Sequence, residues 1–486
     1  MKKLILTILT IHASLFTIHS FAQLPNFTKV DTGAICQLWG GHGISTCFDM
    51  DNDGDLDLFV GNSAVYANRV FSTFKNESNG FFIEMPEFIT NLDDKMVSSF
   101  GDIDNDGDVD LFVGRPYSIL KVYTNNGNGN FEYGQSLYSL NSEFYPVLLD
   151  LNNDGFLDAV TIDRYGKVSY NNGNGVFLGS TSLGLFQVQQ NVMLHGVSWG
   201  DVDNDGDFDF FGGYSPGQGG IPINLCYLND GDGNFVQFDP TSIIVEGECT
   251  TTCVNWVDYD NDGDMDLYVN NFSCENSLPA LYENLGDMQF TKHVIVDEIY
   301  RHSFANSPVW GDLDNDADLD LYISVENNEF PFGGGTSATP YNIIYLNEGN
   351  GQFTNILDHP LAYEDSHTAL LLDHDNDGDL DVLMSRYSWS NDGYNNLFVN
   401  EGNDNSWMVL TCEGTTSNRS AIGTRVQAKC FVNGKHITQT REITPINGHL
   451  SYANLRVHFG LGEANKVDTL IIRWPSGHVD TYLNVE

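Results

Sequence analysis

"DMDNDGDLDLFVG", residues Asp49 to Gly61, places acidic side chains at alternate positions and then runs into an apolar stretch. The acidic half has to be held together against its own charge. Two carboxylates about 5 Å apart at an effective dielectric near 20 repel by roughly 3 kcal/mol, and the stretch holds several such pairs. The stretch also recurs. Equivalent loops begin at Asp102 ("DIDNDGDVDLFVG"), Asp150 ("DLNNDGFLDAV"), Asp201 ("DVDNDGDFDF"), Asp258 ("DYDNDGDMDLYV"), Asp312 ("DLDNDADLDLYI") and Asp373 ("DHDNDGDLDVLM"), at intervals of 48 to 61 residues. Seven copies of one unit point to a repeat architecture.

A second motif lies between the loops: a strand-like run ending in Asn, a Gly-rich turn, then Phe, as in "VYTNNGNGNF", "CYLNDGDGNF" and "IYLNEGNGQF". Asn-Gly and Asp-Gly favour positive φ and mark tight turns between strands. The runs after the Asp loops ("LDLFVG", "MDLYVN") are apolar throughout, as expected of strands covered on both faces. Little in the chain reads as long helix. An all-β, seven-bladed β-propeller follows, each blade a small antiparallel sheet. Phe27-Thr28-Lys29-Val30 resembles "FTKHV" and "FTNIL", which elsewhere follow the Gly-rich turn, whereas "LFVNEGNDNSW" (397–407) reaches that turn without the Phe strand. The N-terminal strand is therefore expected to complete the last blade.

Ca²⁺ takes six to eight oxygens, and alternate side chains in a tight turn converge on one point. Positions 1, 3, 5 and 9 of each loop carry the candidate ligands. They are Asp49, Asp51, Asp53 and Asp57; Asp102, Asp104, Asp106 and Asp110; Asp150, Asn152, Asp154 and Asp158; Asp201, Asp203, Asp205 and Asp209; Asp258, Asp260, Asp262 and Asp266; Asp312, Asp314, Asp316 and Asp320; and Asp373, Asp375, Asp377 and Asp381. Up to seven Ca²⁺ ions are expected, since a bound dication reverses the sign of the repulsion. These are not EF-hands, because the twelfth position from Asp49 is Val60 rather than Glu. Asn152 and Phe156 leave the third loop with fewer charges and weaker expected binding. Ala317 stands where the other loops have Gly, which predicts a strained turn.

The 486 residues carry 67 Asp and Glu against 21 Lys and Arg, a formal charge of -46, so nucleic acid and anionic membranes are poor partners. At 41% hydrophobic the chain is not a disordered acidic tail. Lys2, Lys3, a short apolar run and Ser20-Phe21-Ala22 read as a signal peptide over 1–22 cut after Ala22. No segment is long and apolar enough for a membrane span. All eight Cys lie after residue 22, which suits an oxidising compartment, with Cys36–Cys47 and Cys412–Cys430 as the expected pairs.

From about Asn403 the Asp loops stop and basic residues become denser. Alternating strands and the Asn433-Gly434 turn predict a small β-sandwich or barrel. "SNRSAIGTRV", "HFGLG" and "RWPSG", in that order, resemble the ASPIC/UnbV domain. The upstream repeats resemble the FG-GAP or VCBS repeats of integrin-α-like propellers. The resemblance implies a signal peptide (1–22), a propeller (23–402) and an ASPIC/UnbV domain (403–486), in a secreted calcium-binding protein without an established reaction.

Signs of an enzyme are sparse. Gly196-Val197-Ser198-Trp199-Gly200 has the spacing of a nucleophile elbow but leads into an Asp loop rather than a helix. No zincin, phosphate-loop or dinucleotide pattern occurs. His42, His195 and His367 stand six or seven residues before their loops and could approach the channel mouth. Trp199, Trp256 and Trp310, just before theirs, are expected to pack between blades, the other reading being a sugar site. The expectation is a monomeric binding or adhesion protein for an extracellular protein or polysaccharide. The alternative is a polysaccharide-active enzyme or lectin-like module.

Overall fold

The computed structural model describes residues 24–486 apart from 32, 38–44, 62–70, 78–79, 86–96, 115–118, 139–145, 163–165, 186–191, 217–223, 246–249, 273–278, 296–303, 327–341, 350, 365, 386–394, 447–450 and 453. The apolar run after each Asp loop forms the second strand of a four-stranded antiparallel sheet. In the first, Ser45–Phe48, Asp57–Gly61, Phe71–Asn76 and Phe82–Met85 pair in chain order. The same order recurs in sheets spanning 97–138, 146–182, 192–237, 250–294 and 304–355. These are blades 1 to 6 of a β-propeller.

Blade 7 has Thr368–Leu372, Asp381–Ser385 and Asn396–Asn400, and takes its fourth strand, Phe27–Lys29, from the N-terminal end of the described chain. Phe27 pairs with Asn400 and Lys29 with Phe398, as the sequence comparison of "FTKV" with its internal relatives predicted. The first strand of blade 7 lies against that of blade 1, so the ring closes. Second strands are buried on both faces: Leu111, Phe112 and Val113, and again Leu321, Tyr322 and Ile323, have essentially no exposed surface. Neighbouring blades supply that cover, and burial of each such side chain contributes about 1.5–3 kcal/mol. Among the described residues the only helical turns are short 3₁₀ pieces (Ile35–Gln37, Ile243–Val245, Pro360–Ala362).

After blade 7 the chain builds two further sheets. Ser406–Thr411 pairs with Arg456–Gly462, and a four-stranded sheet has the order Lys435–Glu442, Arg425–Val432, Val467–Arg473, Val479–Val485. Val426, Ala428, Val432, Phe459, Leu461, Leu470 and Ile472 fill the space between them, giving the expected sandwich. Ser451–Tyr452 leaves this domain to pair in parallel with Ser45–Thr46, adding a fifth strand to blade 1.

The expected disulfides are not formed. Cys36 and Cys47 are free thiols, as are Cys226, Cys412 and Cys430. Cys36 Sγ donates to Val30 O at the end of the N-terminal strand, while Cys47 is sealed inside blade 1. Cys412 follows a strand of one cap sheet and Cys430 lies in the other, so no ladder aligns them. Nearness in sequence was the wrong criterion. Cys249 and Cys274 lie outside the described residues, as do the proposed signal peptide and His42.

Candidate metal centres

All seven Asp loops share one backbone. Position 4 is an Asn in the left-handed region every time, from Asn153 at φ 53° to Asn204 at φ 65°. Asn tolerates that region better than other side chains because its amide bonds locally. The position-5 carboxylate accepts the position-7 N–H in every loop, as Asp53 does from Asp55 at 3.0 Å. Position 1 accepts from positions 5 and 6: Asp102 takes Asp106 N–H at 3.1 Å and Gly107 N–H at 2.8 Å. The turn thus folds around two carboxylates. Ala317 adopts φ 85°, the strained conformation predicted for it.

Position 9 is a structural anchor. One oxygen of Asp110 accepts Ile103 N–H from its own loop at 2.8 Å, and the other accepts Asn125 N–H at 2.7 Å. The same pair of bonds recurs at Asp57, Asp158, Asp209, Asp266, Asp320 and Asp381. In six of the seven blades the Asn that closes the third strand then reaches the preceding blade, whereas Asn284 of blade 5 bonds Met265 O of its own loop. Asn125 Nδ2 donates to Met50 O at 2.8 Å and Asn347 Nδ2 to Tyr259 O at 2.8 Å, with equivalents at Asn76, Asn171, Asn229 and Asn400. From sequence this Asn was legible only as a turn residue.

A second ring of bonds joins the loops to one another. The position-4 amide donates to the position-7 carboxylate of the next loop in six cases: Asn52 to Asp108, Asn153 to Asp207, Asn204 to Asp264, Asn261 to Asp318, Asn315 to Asp379 and, across the seam, Asn376 to Asp55. Loop 3 has Phe156 at position 7, so Asn105 takes Gly155 O instead. Position 7 also explains the Gly-rich turn of its own blade. A Cβ on Gly127 would stand 2.7 Å from an Asp108 oxygen, and one on Gly231 2.6 Å from Asp207.

What remains uncommitted is position 3. The Oδ1 atoms of Asp51, Asp104, Asp314 and Asp375 are buried with no hydrogen-bond partner, and so is Oδ1 of Asp201 at position 1. Ligand oxygens of Asp49, Asp51 and Asp53 lie within 4.8 Å of one another, as do those of Asp102, Asp104 and Asp110, of Asp201, Asp203 and Asp209, and of Asp258, Asp260 and Asp262. Buried carboxylate oxygens facing each other without donors fit a hard cation. Burial first, and neighbouring carboxylates second, push these groups upward without an ion: Asp102 and Asp260 to about 6, Asp150 and Asp258 to about 7. Loop 1 carries its own stand-in, because the Lys75 ammonium sits between Asp51 and Asp53. In loop 3 the Asn152 amide donates to Asp154 at 3.0 Å, closing the gap that position 3 leaves elsewhere. Loop 7 adds His374, whose Nδ1 lies 2.5 Å from Asp381.

The C-terminal domain covers this loop face. Residues 414–486 hold eight Lys and Arg against five Asp and Glu, in a chain of charge -46. Arg425 reaches Asn204 Oδ1 and Asp201 O, and pairs with Glu442 at 3.2 Å. Arg456 bonds Asn376 and Gly54 O; Arg419 lies 3.7 Å from Asp102, whose N–H donates to Ser420 Oγ. Sequence reading missed this entirely, since no local signal links residues 80 to 402 positions apart.

The remaining candidates take structural places. Trp199 sits edge-on to Phe210 and Phe235, Trp256 to Phe211 of blade 4, and Trp310 to Tyr268 of blade 5 and Phe353. They pack within and between blades. Ser198 lies buried inside the strand Val192–Gly200, with no helix after it. His367 is buried, its N–H donating to Ser385 O. For His195 only the backbone, in the strand Val192–Gly200, is described.

A ring of acidic loops on four-stranded blades, capped by a β-sandwich, defines a class of repeat propeller. Residues 49–113, 102–161, 150–212 and 213–269 match the FG-GAP-like repeat, and residues 414–486 match ASPIC and UnbV. The chain belongs to the FG-GAP propellers that carry a C-terminal ASPIC and UnbV domain. Cartilage acidic protein 1 of Xenopus tropicalis is 23% identical over 489 residues, covering 89% of this chain and 70% of the relative. The Homo sapiens protein of that name is 21% identical over 439 residues, covering 90% of this chain and 60% of the relative. The chain thus spans well under the full length of these relatives. The crystal structure of Saccharomyces cerevisiae Sqt1 aligns over 79% of this chain and 100% of its own at a TM-score of 0.44 and 12% identity. No helix among the described residues is long and apolar enough to cross a membrane.

Proposed function

We propose that the protein is a secreted, monomeric calcium-binding propeller that acts as a binding or adhesion protein for an extracellular protein or polysaccharide. The observation that carries the calcium reading is the set of buried, unpartnered oxygens at Asp51, Asp104, Asp314 and Asp375. The ions are structural in this reading. Positions 1, 5 and 9 already organise the turn, so an ion at position 3 removes the repulsion that the turn creates. Because the C-terminal domain covers much of the loop face, the partner surface is assigned to the remaining rim and opposite face rather than to the Asp loops. The alternative is a sugar site at Trp199, Trp256 and Trp310, which line one cavity with unpartnered indole N–H groups but whose rings are also engaged edge-on by neighbouring aromatics.

Extracellular calcium modules bind with Kd of about 0.1–1 mM, so at about 1 mM Ca²⁺ each site contributes roughly 0.4–1.4 kcal/mol. Scanning calorimetry of the mature protein should show a melting temperature several degrees lower in excess chelator. An unchanged transition would remove the structural role of calcium. A pull-down and a glycan array with calcium-loaded protein test the binding role. Degradation of a glycan during incubation would instead support an enzyme.

A further inference from the structure

The C-terminal domain is attached to the propeller in two chemically different ways. On one side it shares a continuous apolar core with blades 1 to 4, to which blades 5 to 7 contribute only Ala317 among the described residues. Phe208 lies against Gly423, and Leu157 and Ile422 meet beside Gly101. On the other side the attachment is mainly polar. Thr440 N–H donates to Asp258 Oδ2 at 3.1 Å, Asn405 Nδ2 to Asp314 O at 2.8 Å, Gly462 N–H to Asn315 O at 2.8 Å, and His458 Nε2 lies 2.9 Å from Gly378 O. Beneath that polar side lies a cavity of about 170 Å³ at the channel mouth. Trp256, Trp310 and Leu371 form its floor, with Arg441, Asn454 and His458 above.

We propose that the C-terminal domain is a lid over this chamber, hinged on blades 1 to 4 and latched to loops 5 to 7 only while those loops hold their ions. This rests on the calcium reading above. The sign of the linkage comes from what the latch touches. Apart from Asp258, its acceptors are neutral carbonyl oxygens, whose positions are set by the left-handed turn at Asn315 and by Gly378, not by loop charge. The lid's guanidiniums that pair with ligand carboxylates do so on the hinge side, Arg419 with Asp102 at 3.7 Å and Arg425 with Asp201 at 3.8 Å. On the latch side Arg441 attracts Asp312 and Asp258 only through space, with no guanidinium paired to a ligand carboxylate among the described residues. On the latch side an ion and a docked lid therefore share one ligand oxygen, Asp258 Oδ2, and elsewhere use different atoms. Removing the ion leaves four or five facing carboxylates per loop, the turn relaxes, and the carbonyls that the latch reads move apart. A ligand that binds two states differently shifts their populations by that difference alone, so calcium closes the lid and chelation opens it.

Hydrogen exchange read by mass spectrometry on the full mature chain tests this, with a calorimetric calcium titration on the same sample. Chelation should speed exchange about tenfold or more in peptides covering 436–446 and 454–463, while peptides covering 419–428 and the strands of blade 3 keep their rates. The variant Asn405→Ala with His458→Ala should reproduce the effect in calcium, at unchanged stoichiometry. If no calcium binds, the calcium reading and the latch fall together. If calcium binds but chelation speeds all peptides equally, or none, the latch is wrong and the calcium reading stands. If the double variant does not fold, the wild-type comparison still decides.

Discussion

Asn347→Ala isolates the bond that joins one blade to the next. The side chain is buried at 1% exposure. Its Nδ2 donates to Tyr259 O of blade 5 at 2.8 Å and to Leu319 O of its own loop at 3.2 Å, and its Oδ1 accepts Gly349 N–H at 3.1 Å. A net bond contributes about 1 kcal/mol and a buried group left unsatisfied costs about 1–3 kcal/mol, so losing all three costs roughly 3 kcal/mol. Unfolding entropy near 2.1 cal/mol/K per residue gives roughly 1 kcal/mol/K for a single cooperative transition of this chain, hence a fall in Tm of about 3 °C. The control is Asn128→Ala in the equivalent turn of blade 2, where the amide is exposed and bonds only Asn126 O. That change should stay within about 0.5 kcal/mol. Equal shifts for the two variants, by calorimetry in calcium, would refute the claim that the buried Asn fastens blades rather than merely turning the chain.

Acidification should stabilise the chelated protein. Without ions, burial raises Asp57 to about 7 and Asp110 and Asp158 to about 8. A raised folded-state value gives stability that is present below about pH 4 and is lost as pH rises through 7–8. Chelated protein should therefore melt higher at pH 5 than at pH 8. Calcium-loaded protein should show the opposite trend, because protons displace the ion; parallel curves would count against ion binding at these groups. Phe27→Ala removes a side chain that is 4% exposed and edge-on to His359, and should cost about 3–5 kcal/mol by denaturant unfolding. Ala317→Gly should raise stability by about 1 kcal/mol, the strain at φ 85° outweighing the entropy of Gly. Lower stability there would mean that the buried methyl matters more. The thiols of Cys47 and Cys412, both pushed to about 12 by burial, should resist alkylation until the chain is denatured.

The blade count, the Asp loops and the N-terminal closing strand were legible because each is written locally and repeated. Period-two apolar runs, Gly turns and a displaced "FTKV" need no knowledge of distant residues. The roles of positions 4 and 7 were not legible, since Asn and Asp are also what any tight turn would carry. Only the ring geometry separates Asn376 bonding Asp55 from an Asn that fills a turn. The disulfide expectation failed for a related reason: spacing along the chain says nothing about ladder register between two sheets. The capping of the loop face depends on pairs such as Arg425 with Asn204. Nothing in either local sequence announces such a pair.

This division has a physical cause that bears on the acidic ring itself. Each Asp loop uses position 9 to hold its strand, positions 1 and 5 to close its turn, and position 7, with the Asn before it, to grip its neighbours. Apart from Asp201 Oδ1, backbone N–H groups and amides supply partners to those carboxylates, although the mutual repulsion of the loop's charges remains. Position 3 is the exception: in four loops its oxygen is buried beside other carboxylates with nothing to bond. Where the chain departs, it departs at that place, with an Asn amide closing loop 3 and a lysine standing in loop 1. A sequence selected only for turn geometry would have no reason to hold an acid at position 3 in six loops of seven, each at a cost in repulsion. The pattern makes sense if the missing partner is a cation supplied from outside the chain. On this reading loop 1, with its own ammonium, binds that cation more weakly than loop 2, and Lys75→Ala should bring the two affinities together in a calcium titration.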